Sequence, residues 1–329
     1  MGTVCTITLQ EQKQQHINKG FKLLKKIELS LSSYDKNAKV YQLNHQQEVL
    51  TDEYLTEILE KSRQMYKQSK GYFDITIGSV TKALYRFGEE EKIPTKDELE
   101  SAKIDLKGII EKSGTVVLKK GIKVDFGGIG KGYGVDRVAQ QFFEQNITQG
   151  KIGLSGDIRC LDRCQFGIQS PFEEDKILMS LESKIENLSI STSGTYRRYI
   201  KEKKYHHLIN PKTKKQGRAF VSVTILTQGD NAKADAIATV VSVMPKAEAL
   251  GFLKEIGVGF VLVEANKSVI YGNLENFIRV LINQKHPTII KTVEPSFKTE
   301  KTKLPSSIKN PERLETSIKA KSPNNQNFL

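Results

Sequence analysis

Cysteine is scarce in this chain of 329 residues: there are three, Cys5, Cys160 and Cys164. Three cannot all pair, and Cys160 and Cys164 lack the spacing of a zinc knuckle, so thiols are expected at all three positions. Long apolar runs are missing as well. None approaches the ~18–20 residues that a membrane-spanning helix needs. The first nine residues alternate like a strand and show no basic-then-apolar leader, so a cytoplasmic location is the expectation for the chain as it stands. No period of fixed length repeats. Negative charge is in short supply: 38 Asp and Glu stand against 51 Lys and Arg, a net of +13.

That excess is uneven. Residues 285–329 hold nine Lys and Arg, four Asp and Glu, and five of the nine prolines. They are rich in Ser, Thr and Asn, and no apolar period runs through them. The expectation is one folded domain over 1–284 and a basic, disordered tail over 285–329. A single aromatic, Phe297, stands among the tail lysines, short of the stacking platform that bases require, so nucleic acid is not expected as a partner.

The richest local pattern is Lys123-Val-Asp-Phe-Gly-Gly-Ile-Gly-Lys-Gly-Tyr-Gly-Val-Asp136. Val124 and Phe126 alternate as on a half-buried strand, five glycines follow, and Val135, Val138, Ala139, Phe142 and Phe143 then recur at helical spacing. Glycines let a backbone turn tightly and press its N–H groups on a ligand, and a helix N-terminus favours anions. Gly132 follows Lys131 where a Walker loop needs Ser or Thr, and Tyr133 stands where a Rossmann loop needs its third glycine. A tight turn packing a helix on a sheet and a phosphate site are equally compatible with this loop alone.

Elsewhere, strands are expected at 3–9, 151–154, 165–169, 188–191, 220–227, 259–264 and 268–272, with a hairpin over 115–126 turning at 119–121. Helices are expected at 11–33, from an Asp52 cap onward, and at 132–145, 232–243 and 245–256. Hairpins mixed with helices favour an α+β fold over a regular βαβ series.

Four further segments are dense in polar residues: Gly71-Tyr-Phe-Asp-Ile-Thr-Ile-Gly78, Gly153-Leu-Ser-Gly-Asp-Ile-Arg159, Ser191-Thr-Ser-Gly-Thr-Tyr-Arg-Arg198 with Tyr205-His-His-Leu-Ile-Asn-Pro211, and Ala234-Asp-Ala-Ile-Ala-Thr239. The first two read as turns when taken singly. In the third, hydroxyls beside arginines suit phosphate, and adjacent histidines on a strand face opposite ways. In the fourth, Asp235 and Thr239 share a helix face and offer hard oxygens that suit Mg²⁺. A cap at Asp235, with Thr239 bonding back to its own helix, explains the same spacing.

Taken in order, these segments resemble the ApbE family of FAD:protein FMN transferases. Met1-Gly-Thr3, Leu31-Ser-Ser-Tyr34 with Leu43-Asn44, Gly71-Tyr-Phe-Asp-Ile-Thr76, Val124 to Tyr133, Ser155-Gly-Asp157, Thr192-Ser-Gly194, His207-Leu-Ile-Asn-Pro211 and Ala234 to Thr239 are similar to that family's motifs. Asn210 replaces the family's Asp, and Ser155 replaces a Gly.

The resemblance implies an ApbE-like, T-fold-related arrangement of mixed sheets with packed helices. It implies Mg²⁺-dependent transfer of FMN from FAD, the substrate, to a Thr or Ser hydroxyl of an acceptor flavoprotein subunit, releasing AMP. By the same resemblance Gly128, Asp235 and Thr239 hold the metal. Met1, Tyr34, Phe73, Asp74, Asp125, Lys131 and Ile209 contact FAD, and His207, with Asp74 as second candidate, takes the acceptor's proton. Family members usually act outside the inner membrane behind a leader, so membrane association is expected only through the acceptor or such a leader. An Mg²⁺-dependent FAD pyrophosphatase and a non-catalytic flavin-binding protein remain the alternative readings.

Overall fold

The computed structural model describes residues 4–9, 13–281 and 290–292. It opens with strand β1 (Cys5–Leu9) and helices α1 (Gln14–Leu31) and α2 (Lys39–Gln46). Helix α3 (Glu53–Gln68) is flanked in sequence by a small sheet of β2 (Glu48–Leu50), β3 (Ile109–Lys112) and β4 (Thr115–Leu118). Two short helices, α4 (Gly78–Thr81) and α5 (Lys96–Ser101), lie in the connection from α3 to β3. Helix α6 (Gly130–Phe143) leads into β5 (Gly150–Leu154), β6 (Asp157–Cys160), β7 (Gln165–Gln169), β8 (Ile177–Ser183) and β9 (Leu188–Gly194). The remainder is β10 (Ser222–Gln228), α7 (Asn231–Val243), α8 (Lys246–Ile256), β11 (Gly259–Val263), β12 (Val269–Gly272), β13 (Ile278–Leu281) and β14 (Ile290–Thr292).

The fold is α+β, as expected. Its centre is an eight-stranded sheet in the order β1-β5-β6-β9-β10-β11-β12-β14. Neighbours are antiparallel except the last pair, β12 and β14. Strand side chains alternate between faces. Val223, Ile225, Phe260 and Leu262 accordingly join the core under the helices, while Leu226, Val261 and Val263 join a second core on the other face. The second core is closed by a small sheet in the order β13-β8-β7.

The same alternation places a polar patch on the helical face. Leu188, Ile158 and Ile190 pack into the second core. Their neighbours Asp157, Arg159, Ser189 and Ser191 therefore face the helices, with Asp157 opposite Ser191 and Arg159 opposite Ser189. Helices α6 and α7 both pack over this patch and against each other.

Several expectations hold. Asp52 caps α3, accepting from Leu55 N at 2.9 Å. The stripe Ile17, Leu24, Ile27 and Leu31 of α1 is buried. Others need correction. The hairpin lies at 109–118, with its turn at Ser113 and Gly114. Residues 122–126 are extended but belong to no sheet. Their backbone is held by side chains instead: Asn44 bonds both N and O of Val124 at 2.7 and 2.8 Å, and Ser79 accepts from Lys123 N.

Cys160 and Cys164 are disulfide-bonded rather than free, because the turn between β6 and β7 brings their Cα atoms to 5.7 Å, within bridging range. Cys5 is free and buried. Of the segment expected to be a disordered tail, Ile290–Thr292 forms the parallel edge strand β14, and the rest lies outside the described residues.

Helix α6 starts at Gly130, so three of the five glycines lie in its first turns. Gly132 is where α6 crosses α7: a Cβ there would stand 2.2 Å from the carbonyl oxygen of Asn231. Backbone cannot yield as a flexible side chain does. Gly132→Ala is expected to destabilise the fold by about 1–3 kcal/mol, the usual cost of overpacking. Urea unfolding of the two proteins checks this, and an unchanged midpoint would contradict the tight crossing.

Candidate functional site

The crossing of α6 and α7 gathers charged groups from three elements. Asp235, on α7, is buried. Its carboxylate accepts from Lys131 Nζ at 3.1 Å on each oxygen and from Gly132 N at 3.1 Å. Lys131 also stands 3.0 Å from Oδ2 of Asp157, on the polar patch of the sheet. Asp157 and Ser191, opposite each other on the sheet, are both buried, and Lys131 is the cation that Asp157 meets.

One turn along α7, Thr239 Oγ1 donates to the Gly128 carbonyl at 3.3 Å. Gly128 must be small here, since a Cβ would lie 2.8 Å from that hydroxyl.

These contacts decide between the two explanations of the Asp235/Thr239 spacing. Asp230 caps α7, accepting from Lys233 N at 2.8 Å. Asp136 takes the next two free donors, Asn231 N and Ala232 N, each at 2.8 Å, and pairs with Arg159 at 3.0 Å. Asp235 is thus released from capping, and Thr239 reaches across to the loop. The N-cap residue of α6, Ile129, gives no side-chain cap; Asp235 takes Gly132 N from across the crossing, and the Phe126 carbonyl takes Gly130 N at 2.7 Å. The helix dipole favours negative charge at this end.

Burial alone would lower the Lys131 pKa, but Asp157 and Asp235 together push it above its ordinary value. Burial and the charge of Asp235 push Asp157 up to about 7, against the pull of Lys131.

A second group of residues lies around Asp125. Its Oδ1 accepts from Gly127 N at 2.9 Å, and its Oδ2 accepts from Thr81 at 2.7 Å and lies 3.7 Å from Lys82 Nζ. Burial opposes its ionisation, but Lys82 and these hydrogen bonds prevail and lower its pKa. Lys82 is buried and, with Arg198, donates to the hydroxyl of half-exposed Tyr34. Arg198 in turn presents its carbonyl to His207 Nδ1 at 3.1 Å. A carbonyl only accepts, so Nδ1 carries the proton and the lone pair of Nε2 is left free. Burial first, then the charge of Arg198, push the His207 pKa down to about 3, and Lys131 is among the more distant charges acting on it.

His207 is thus near enough to Lys131 to feel its charge. Its neighbour His206 is buried against the carbonyl of Gly217 at 2.9 Å.

The remaining expected residues are dispersed. Asp74 is buried, with Oδ1 accepting from both Thr76 N and Thr76 Oγ1 at 2.8 and 2.6 Å, so its first role is to cap a turn; burial raises its pKa. Phe73 and Ile209 are buried apolar residues in two different clusters. Met1 lies outside the described residues. Lys82, Thr81 and the pairing role of Asp157 were not foreseen. Period-two alternation could have placed Asp157 with Arg159, but nothing local marks Lys82.

Gly128, Asp235 and Thr239 offer a carbonyl, a carboxylate and a hydroxyl, the hard donors that a small divalent cation takes beside phosphate and water. No group of three or more His, Cys, Asp or Glu suited to a metal occurs among the described residues, so a metal here would rely on such mixed donors. The cationic Lys131 already occupies both Asp235 oxygens.

The model of the ApbE family matches residues 1–262. The chain belongs to the ApbE family. It is 28% identical to the FAD:protein FMN transferase of Haemophilus influenzae over 213 residues, 58% of this chain and 61% of that protein. To the protein of the same name from Treponema pallidum it is 24% identical over 305 residues, 82% and 84% of the two chains. The ApbE protein of Thermotoga maritima superposes with a TM-score of 0.75 at 23% identity, covering 84% of this chain and 95% of that one. The flavin transferase ApbE of Vibrio cholerae gives 0.67 at 21% identity, covering 85% and 94%. The fold is thus that of ApbE proteins.

A pKa of about 3 keeps the His207 ring neutral through the physiological range. The unfolded chain takes up this proton near pH 6.5, so the depressed native value costs stability as pH falls from about 6.5 toward 3. Nitrogen-15 spectra should show a neutral, Nδ1-protonated His207 at pH 5. A ring that titrates near 6.5 would contradict this geometry.

Proposed function

We propose that this ApbE-family chain is a transferase that moves FMN from FAD to a Thr or Ser hydroxyl of an acceptor protein and releases AMP. The observation that carries the reading is the convergence of Asp235, Thr239 and the Gly128 carbonyl at the N-terminus of α6. FAD is a diphosphate, and a helix N-terminus beside hard oxygen donors is a place for diphosphate and a divalent cation together. The names of the curated relatives support the same chemistry.

Asp235, Thr239 and Gly128 would hold Mg²⁺, which when bound neutralises diphosphate charge as the phosphorus is attacked. The acceptor oxygen forms a bond to the FMN phosphorus. The bond from that phosphorus to the bridging oxygen breaks, and AMP leaves with the oxygen. The hydroxyl proton goes to Nε2 of His207, the nitrogen whose lone pair is left free by the bond from Nδ1 to Arg198. Tyr34, Lys82 and Arg198 form a cationic, aromatic surface suited to the rest of the dinucleotide.

The test is incubation with FAD, Mg²⁺ and a Thr-bearing acceptor peptide, reading AMP and peptide mass together. AMP matched by a peptide gaining FMN supports transfer. AMP and free FMN without peptide modification would make the chain a pyrophosphatase, and FAD binding without AMP would make it a binder. Asp235→Asn is expected to lower AMP release by about 10²–10³-fold, the usual cost of one electrostatic stabiliser, with circular dichroism unchanged. His207→Ala is expected to lower peptide flavinylation by about 10²–10⁴-fold while FAD binding persists. Transfer by His207→Ala at the wild-type rate would leave Asp74 as the base to examine.

A further inference from the structure

Lys131 sits where a cation at Asp235 would have to sit, since its ammonium engages both oxygens of that carboxylate. Two positive charges cannot share those oxygens without strong repulsion. The ammonium therefore has to leave Asp235 when a divalent cation arrives, yet its side chain is tethered at the start of α6 and only 29% exposed. Asp157 is the nearby carboxylate able to receive it. That residue is wholly buried, and one of its oxygens already lies 3.0 Å from the ammonium. A buried carboxylate is costly unless a charge compensates it, and Lys131 is the cation beside it.

We propose that Asp157 is the positioning residue that takes over the Lys131 ammonium when a divalent cation binds Asp235. In this arrangement Lys131 is a built-in counter-ion for the metal-free state, and Asp157 keeps its charge close to the diphosphate once the metal is present. The sheet register makes Asp157 a fixed receiver, since its strand is paired on both sides. The proposal rests on the reading of Asp235 as a cation ligand, and the test separates the two.

The test measures Mn²⁺ affinity of the full chain without FAD, by electron paramagnetic resonance, in a double-mutant cycle. Lys131→Gln is expected to tighten Mn²⁺ binding by about 10–100-fold, because the competing ammonium is gone. Asp157→Asn is expected to weaken it by about 10–100-fold, the range for residues that support a metal's ligands. In the Lys131→Gln background Asp157→Asn is expected to change little. An Asp157→Asn effect of equal size with and without Lys131 would overturn the proposal, because Asp157 would then act on the metal directly. So would wild-type affinity in Asp157→Asn.

Should Asp157→Asn fail to fold, Asp157→Glu replaces it in the same cycle: an effect on Mn²⁺ affinity that vanishes in the Lys131→Gln background supports the proposal, and one that persists there, or no effect at all, overturns it. Asp235→Asn is the control for the underlying reading. If it binds Mn²⁺ like the wild type, Asp235 is no ligand and the proposal fails with that reading.

Discussion

Everything around the candidate site depends on how closely the start of α6 can lie on α7. Gly132 allows the backbones to meet at the carbonyl of Asn231, and only at that distance does Gly132 N reach the Asp235 carboxylate. The approach carries Lys131 into a space already holding two buried carboxylates. A lysine there is both cause and consequence of the packing. It offsets the desolvation of Asp157 and Asp235, and their charge keeps it protonated despite burial.

The polar residues beneath this crossing divide the labour. Arg159, Asp136 and Asn231 form a satisfied network: Asp136 holds the first donors of α7, and Arg159 bonds Asp136, Ser189 and Asn187. Its effect is to free Asp235 from capping its own helix. Asp157, next to that network on the same sheet face, meets the ammonium of Lys131 instead. One strand step thus separates a network that holds a helix end from a carboxylate that faces the candidate site.

The loop before α6 is held by side chains and one backbone contact where a sheet might have been expected. Asn44 bonds both sides of Val124, and Ile75 O receives Asp125 N. This fixes Asp125, and through it Gly127, without a neighbouring strand that would cover the loop. The Leu43-Asn44 motif is therefore a support for the glycine loop, a role that its position some 80 residues earlier hides. The same distance hides the chain from Lys82 through Tyr34 and Arg198 to His207. No local pattern links residues that meet only when α4 and the segment after β9 are folded together.

The sequence by itself determined the class of fold, the buried stripes of α1 and α3, most strands of the large sheet and the family. Those follow from hydrophobic period, caps and motif order, which are local properties. Asp235 and Thr239 were legible as a pair because a helix puts i and i+4 on one face. Tertiary structure decided which explanation of that pair holds, since only packing shows Asp230 and Asp136 doing the capping. It also made residues 122–126 a side-chain-held segment rather than a hairpin arm, and brought Cys160 within bonding distance of Cys164. The pairing of Asp157 with Lys131 was equally beyond the sequence. Charge is written in the residues, but pairing depends on distances between elements far apart along the chain.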